Sequence, residues 1–388
     1  MKKLIVLSVV LALVATAAFA VDIGANVFGL VTPIQGQSGK NANGTDASSD
    51  ITASGSFQRV RISGGGEVND GVFGGWFRKG VNDSDWGAYA FWKPIDQFKL
   101  LIGGNPDGMY GKEGVTGWML HENPYDAGVA IFGGNVWGGG MTAIKTRDVF
   151  YGGFGDNGLH LNITPIDILG INLVFPFFDK ATIMVNGAEA KSDVVADVLA
   201  NFKAQIDLNL DFGNIAITYS GDSKSSGGKI YAYYGGSFGD LGLDVGVSFG
   251  FDDSGKNQPI GAGLGLKFAT DAFGIKFRAV AAIGGDDEAF NLLAELVPYF
   301  SFSDNITAFL GLGVGYAKKG YYYESAPNTW INTGTDDGVI DFYVNPYVRI
   351  GEEWGSQFLV GFQLYSKRGL GDRSLIGWAL PIAVMVNF

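Results

Sequence analysis

No cysteine occurs in the 388 residues, so disulfides and thiolate metal ligands are excluded. Only two histidines are present, His121 and His160, and neither has a motif around it. A Ser-His or Asp-His hydrolase would need one of them as its base, which leaves catalysis almost no material. Both read as ordinary polar residues of a loop or strand; no cofactor or metal is implied, and the chain reads as a non-enzyme. Basic residues are scarce too, 27 Lys and Arg against 39 Asp and Glu, for a formal charge of −12. Nucleic acid demands the opposite balance and is not expected as a partner. After the first twenty residues there is no run of roughly 18 apolar residues, so no transmembrane helix is expected.

What is present begins with "MKKLIVLSVVLALVATAAFA". Lys2 and Lys3 precede an apolar stretch from Leu4 to Val14, and Ala18-Phe19-Ala20 has the form of a cleavage site. Residues 1–20 therefore read as a cleaved signal peptide, and 21–388 as the exported protein. An exported chain without apolar helices is soluble, or it crosses a membrane as a closed β-barrel.

The stretch "VLANFKAQIDLNLDF" (198–212) is apolar at every even position and polar at every odd one but Leu199. That period of two predicts a strand with one greasy and one wet face. The pattern recurs at 215–219, 243–251, 260–268, 275–283 and 306–316. Such spacing means an all-β sandwich or barrel. The connectors then separate the two. Tight ones at 92–98, 163–169, 212–214, 238–242, 269–273, 302–305 and 351–355 alternate with looser, polar ones at 33–53, 80–85, 178–197, 221–228, 252–258, 284–288, 318–337 and 367–373. Short turns at one end and long loops at the other suit a membrane barrel. Trp92, Phe98, Phe212, Phe238, Phe273, Phe300, Phe302 and Trp354 flank the tight turns, and Tyr219, Phe251, Tyr316 and Tyr365 lie near the other strand ends. Two aromatic girdles at headgroup level would place both sets.

In the last segment, "LIGWALPIAVMVNF", Ile376, Trp378, Leu380, Ile382, Val384, Val386 and Phe388 share one face, and the chain stops on the aromatic. Here the sequence resembles bacterial outer-membrane β-barrel proteins of the porin-like kind. The resemblance implies that Ile382, Val384, Val386 and Phe388 form the signal read by the barrel-assembly machinery. The glycine-rich segments and the Pro-Ile-Asp turns at 94–96 and 165–167 are also similar to porin-like proteins of spirochaetes. The expected fold is all-β: a transmembrane antiparallel up-and-down barrel of about 18 strands, within roughly 16–20.

If the apolar face meets lipid, the alternate face lines the lumen. That wall is expected to carry Arg59, Arg61, Lys99, Lys203, Lys267, Lys276, Arg278 and Arg349 beside Asp207, Asp211, Glu295, Asp244 and Asp341. A dry core would penalise so many charges by several kcal/mol each, whereas a water column keeps them hydrated. The glycines of "GAGLGL" (261–266) alternate within a strand and open no helix, so they are no nucleotide loop. Asp252-Asp253 and Asp286-Asp287-Glu288 lack calcium-loop spacing and read as solvated loop charge.

The function expected is a porin-like channel in the outer membrane, with passive diffusion of small hydrophilic solutes and ions through it. Its partners would be outer-membrane lipid, the assembly machinery and those solutes, and its form is compatible with a homotrimer. An acidic mouth and a mixed wall predict a weak preference for cations. Two alternatives stand beside it. One is a surface structural or adhesin-type barrel using the loops 33–53 and 318–337; the other is a substrate-specific transporter, whose lumen would need an aromatic track, with Tyr231 and Tyr233 as starting members.

Residues 105–155 break the rhythm and read as an inward-folded loop or an extra hairpin. Asp107, Lys112, Glu113, Trp118 and Glu122 are its constriction candidates. Deleting 105–126 should raise single-channel conductance in a planar bilayer; an unchanged current would place the constriction elsewhere.

Overall fold

The computed structural model describes residues 21–40, 44–47, 51–80, 86–104, 158–176, 198–222, 227–251, 260–284, 289–318, 321–324, 329–332, 339–352, 355–368 and 374–388. The expected signal peptide and the 105–155 segment lie outside them, as do the acidic clusters at 252–253 and 286–288.

The first strands are β1 (Val21–Lys40), β2 (Thr52–Val68), β3 (Phe73–Gly80), β4 (Trp86–Ile95), β5 (Phe98–Gly104), β6 (Gly158–Ile166) and β7 (Leu169–Phe175). Next come β8 (Lys203–Leu210), β9 (Gly213–Asp222), β10 (Gly227–Phe238), β11 (Leu241–Phe251), β12 (Ile260–Ala269), β13 (Phe273–Gly284), β14 (Ala289–Ser303) and β15 (Ile306–Lys318). The chain ends with β16 (Tyr321–Glu324), β17 (Thr329–Asn332), β18 (Val339–Gly351), β19 (Gln357–Gly361), β20 (Gln363–Arg368) and β21 (Ser374–Asn387).

Successive barrel strands pair antiparallel, and β1 pairs β21, so the sheet closes on itself. β16 and β17 form a separate hairpin in the loop between β15 and β18. β19 and β20 both lie between β18 and β21 and make one stave, so the ring has 18. That stave is split at Phe362, whose N–H donates to the Pro346 carbonyl at 2.9 Å. Proline has no N–H to return, and the ladder lapses there.

The two faces are opposite in kind. On β21, Leu380 and Val384 are 40% and 43% exposed, while their neighbours Ala379 and Ala383 are fully buried. Outward positions on other strands repeat this: Ile102, Ile206, Ile217, Val245, Val247, Leu264 and Ile340 are all exposed. An apolar exterior around a closed ring is the surface that hydrocarbon wets, and closure leaves no free sheet edge. Among the described residues no helix is long and apolar enough to cross a membrane. Near the tight turns Trp92, Phe212, Phe238, Phe273, Phe300 and Phe302 stand exposed on the outside, as a girdle requires. At the other end Tyr219 stacks on Phe251 and Phe290 leans on Tyr316.

Several expectations shift. The 198–212 stretch is strand only from Lys203 to Leu210; residues 198–200 form a helical turn and 211–212 the hairpin turn. Asp211 therefore sits exposed in that turn, not on the wall. Tyr365 points inward, where its ring lies over Gly377, instead of joining the outer girdle. The loop placed at 33–53 shortens to 41–51, because β1 continues to Lys40 along β21. One tight turn was overlooked, at 69–72, where Asn69, Asp70 and Gly71 take φ of 53°, 55° and 84°. Asn, Asp and Gly are the residues that accept this left-handed backbone. In the turn after β4 the Lys93 ammonium, 2.8 Å away, holds the exposed Asp96 carboxyl below its ordinary range.

Leu264 faces out at the middle of β12. Leu264→Arg should destabilise the barrel by about 2–4 kcal/mol in urea titrations from lipid vesicles. A cost near zero would mean this face does not contact lipid.

Candidate functional site

The inner wall gathers most of the polar residues expected on it. Lys99 is on β5, Lys203 and Asp207 on β8, Lys267 on β12, Lys276 and Arg278 on β13, Glu295 on β14 and Arg349 on β18. In backbone register Arg59 pairs Phe28, Arg61 pairs Asn26, and Asp341 pairs Gly315, while the side chains of Arg59 and Asp341 lie outside the described residues. Of the four residues expected to form an assembly signal, Ile382, Val384 and Val386 line the outer face of β21. Phe388 completes the seam: its N–H donates to the Ala25 carbonyl at 2.9 Å and its carbonyl accepts from Ala25 at 3.2 Å. Asp107, Lys112, Glu113, Trp118 and Glu122 lie outside the described residues.

The wall charges are less immersed than a simple water column would leave them. Asp244, Glu295 and Asp207 are only 0%, 2% and 4% exposed, and Lys276 and Arg278 are buried as well. Neighbouring strands supply the groups that hold them. From β6 to β9 an amide ladder fixes Asp207: Asn172 Nδ2 donates to one carboxylate oxygen at 2.8 Å and Gln205 Nε2 to the other at 2.7 Å. Asn162 donates to Asn172, and Thr218 Oγ1 donates to Gln205 at 3.0 Å. His160 is buried on the same side of β6.

A second network follows one register row across β10 to β21. The row reads Gly235, Asp244, Gly265, Arg278, Glu295, Gly313, Tyr343, Tyr365, Gly377. Bulky and bare positions are interleaved, and the tyrosines use the bare ones. Tyr233 passes over Gly235 to donate its hydroxyl to Asp244 Oδ1 at 2.7 Å. Tyr343 crosses Gly313 to donate to Glu295, two strands away. A Cβ on Gly313 would stand 2.0 Å from the Tyr343 ring, so only glycine admits this path. Long side chains thus lie along the wall.

Nearer the tight turns the wall is aromatic and apolar, which sequence reading missed. Phe309 stacks on Tyr347 at 4.6 Å with planes 6° apart, Tyr299 leans on Phe309 at 5.5 Å, and Arg349 sits 5.0 Å from the Phe309 ring centre. Phe28, Leu30, Val297, Leu359, Ala379, Ala383 and Met385 join this cluster. On β3 to β5 Trp76 stacks on Tyr89, Arg78 packs on Trp76, and Lys99 lies 3.8 Å from the Phe91 ring centre. A signal existed: Tyr343 and Tyr347 share parity with Asp341 and Arg349, and parity fixes the face. Among the described residues no three metal-ligating side chains converge.

No protein-family model and no curated protein sequence matches the chain. Solved structures do. The chain is similar to OccK11 (OpdR) of Pseudomonas aeruginosa, with 12% identity and a TM-score of 0.54, covering 95% of this chain and 97% of that one. It is similar to OpdQ of the same organism at 10% identity and TM-score 0.51, covering 94% and 98%. The outer-membrane protein OmpT of Vibrio cholerae aligns at 10% identity and TM-score 0.46, over 95% and 97%. The first two likenesses support the fold: a closed antiparallel barrel of 18 strands.

Gly313→Ala should cost about 1–3 kcal/mol in a urea titration, since the Tyr343 ring must leave its place. Pairing it with Tyr343→Ala should recover part of that loss. An undiminished cost in the pair would assign the strain to another neighbour.

Proposed function

We propose that this chain is an outer-membrane, porin-like channel through which small hydrophilic solutes and ions diffuse passively, and that it is not an enzyme. The observation that supports this most is the opposition of faces on one closed ring: apolar and exposed outside, charged, amide and phenolic inside. A wall of that kind gives hydrated solutes a path that hydrocarbon denies them. The signal-like leader and the terminal Phe388 favour export and assembly into the outer membrane, with lipid and the assembly machinery as partners. A homotrimer is part of the same proposal.

A second reading, a substrate-specific transporter, draws support from the aromatic groups on the inner wall. Tyr299, Phe309 and Tyr347 with Arg349, and Trp76 and Tyr89 with Arg78, offer the aromatic track that sequence alone did not supply. The adhesin-type alternative gains nothing from the described residues.

Reconstitution into planar bilayers should give discrete ohmic current steps, and liposomes should swell at rates that fall smoothly with sugar size. Saturation, or competition between solutes, would favour the transporter. No current and no swelling would reject both.

A further inference from the structure

We infer that the mid-wall carboxylates are withheld from passing ions by neutral hydrogen-bond donors, so that the wall favours anions although the chain is strongly acidic. This rests on the channel reading above. Asp207 accepts from Asn172 and Gln205 on both oxygens. Asp244 accepts from the Tyr233 hydroxyl, and Glu295 from that of Tyr343. Both oxygens of Asp207 and one oxygen each of Asp244 and Glu295 are thus occupied, and all three carboxylates are buried. A cation in transit cannot touch their oxygens.

Asp244 and Glu295 also share their patch with Lys276 and Arg278; Arg278 lies directly across from Glu295 in register. Two negative and two positive groups leave that patch without net charge. Other inner-face cations among the described side chains differ in exposure: Arg61, Arg78, Lys99, Lys203, Lys267 and Arg349 are only partly buried on the wall. Among the described side chains, the exposed inner-face carboxylates, Asp22 and Glu67, lie at the tight-turn rim. Along the middle of the wall, an anion meets ammonium and guanidinium groups while a cation meets amides and phenols. The charge that counts for permeation is the touchable charge, and it is positive.

The test is a reversal potential across a planar bilayer in a KCl gradient, at about 1 M on the concentrated side, where the Debye length of about 3 Å silences the loops. The wild type should favour chloride. Tyr233→Phe with Tyr343→Phe should uncover Asp244 and Glu295 and shift the potassium-to-chloride permeability ratio upward by about twofold, as expected for an ion touching a carboxylate at about 3 Å in water with screening over the same distance. Lys99→Gln with Lys267→Gln, which leaves both networks intact, should shift it the same way. Normal current with an unchanged ratio in both variants, or a potassium preference in the wild type, overturns the inference alone. Absence of current in every variant and in the wild type overturns the channel reading with it.

Discussion

Backbone amides in hydrocarbon have no water to turn to, and each one left unpaired costs several kcal/mol. That constraint organises this protein. It forces the sheet to close, and the closing seam is the pairing of β1 with β21, extended by the exchange between Ala25 and Phe388. Phe388 is thus a structural member of the seam. Where the ladder is weakened, as at Pro346, the lapse spans only about two residues of a stave paired on both sides above and below it.

Closure creates an inside, and the inside has its own packing problem. Side chains pointing into a ring crowd one another unless some positions are bare. The row from Gly235 to Gly377 solves this by alternating glycine with Tyr, Arg, Asp and Glu, so that rings lie over the bare backbone. The 61 glycines are therefore more than turn formers. Their use at Gly235, Gly313 and Gly377 ties phenols against the wall and determines which charges a solute can reach.

Most of the architecture was legible in the sequence, because period-two alternation and the contrast between tight and loose connectors are direct products of the barrel. Alternation placed Ile206, Leu264 and Val384 on the lipid side and Asp207, Arg278 and Glu295 on the other. What it could not give was the length of each strand: Val198 and Ala200 keep the even positions apolar, yet residues 198–200 turn helically. The wall was legible as a set of residues, though not as networks. That Tyr343 reaches Glu295 depends on Gly313 standing between them on a strand remote in sequence from one partner and near the other. Tyr365 is expected in the outer girdle only from its place near a strand end, whereas it shares parity with buried Gln363. Parity was the better guide.

The central claim is that hydrocarbon meets one face of each strand and water the other. The absence of native cysteine permits a direct measurement: bimane attached to single cysteines in the protein reconstituted with brominated lipid. Leu264→Cys should be quenched by bromine and shielded from a water-soluble quencher, and Lys267→Cys should show the reverse. Bromine quenching of Lys267→Cys, with Leu264→Cys open to water, would contradict the account.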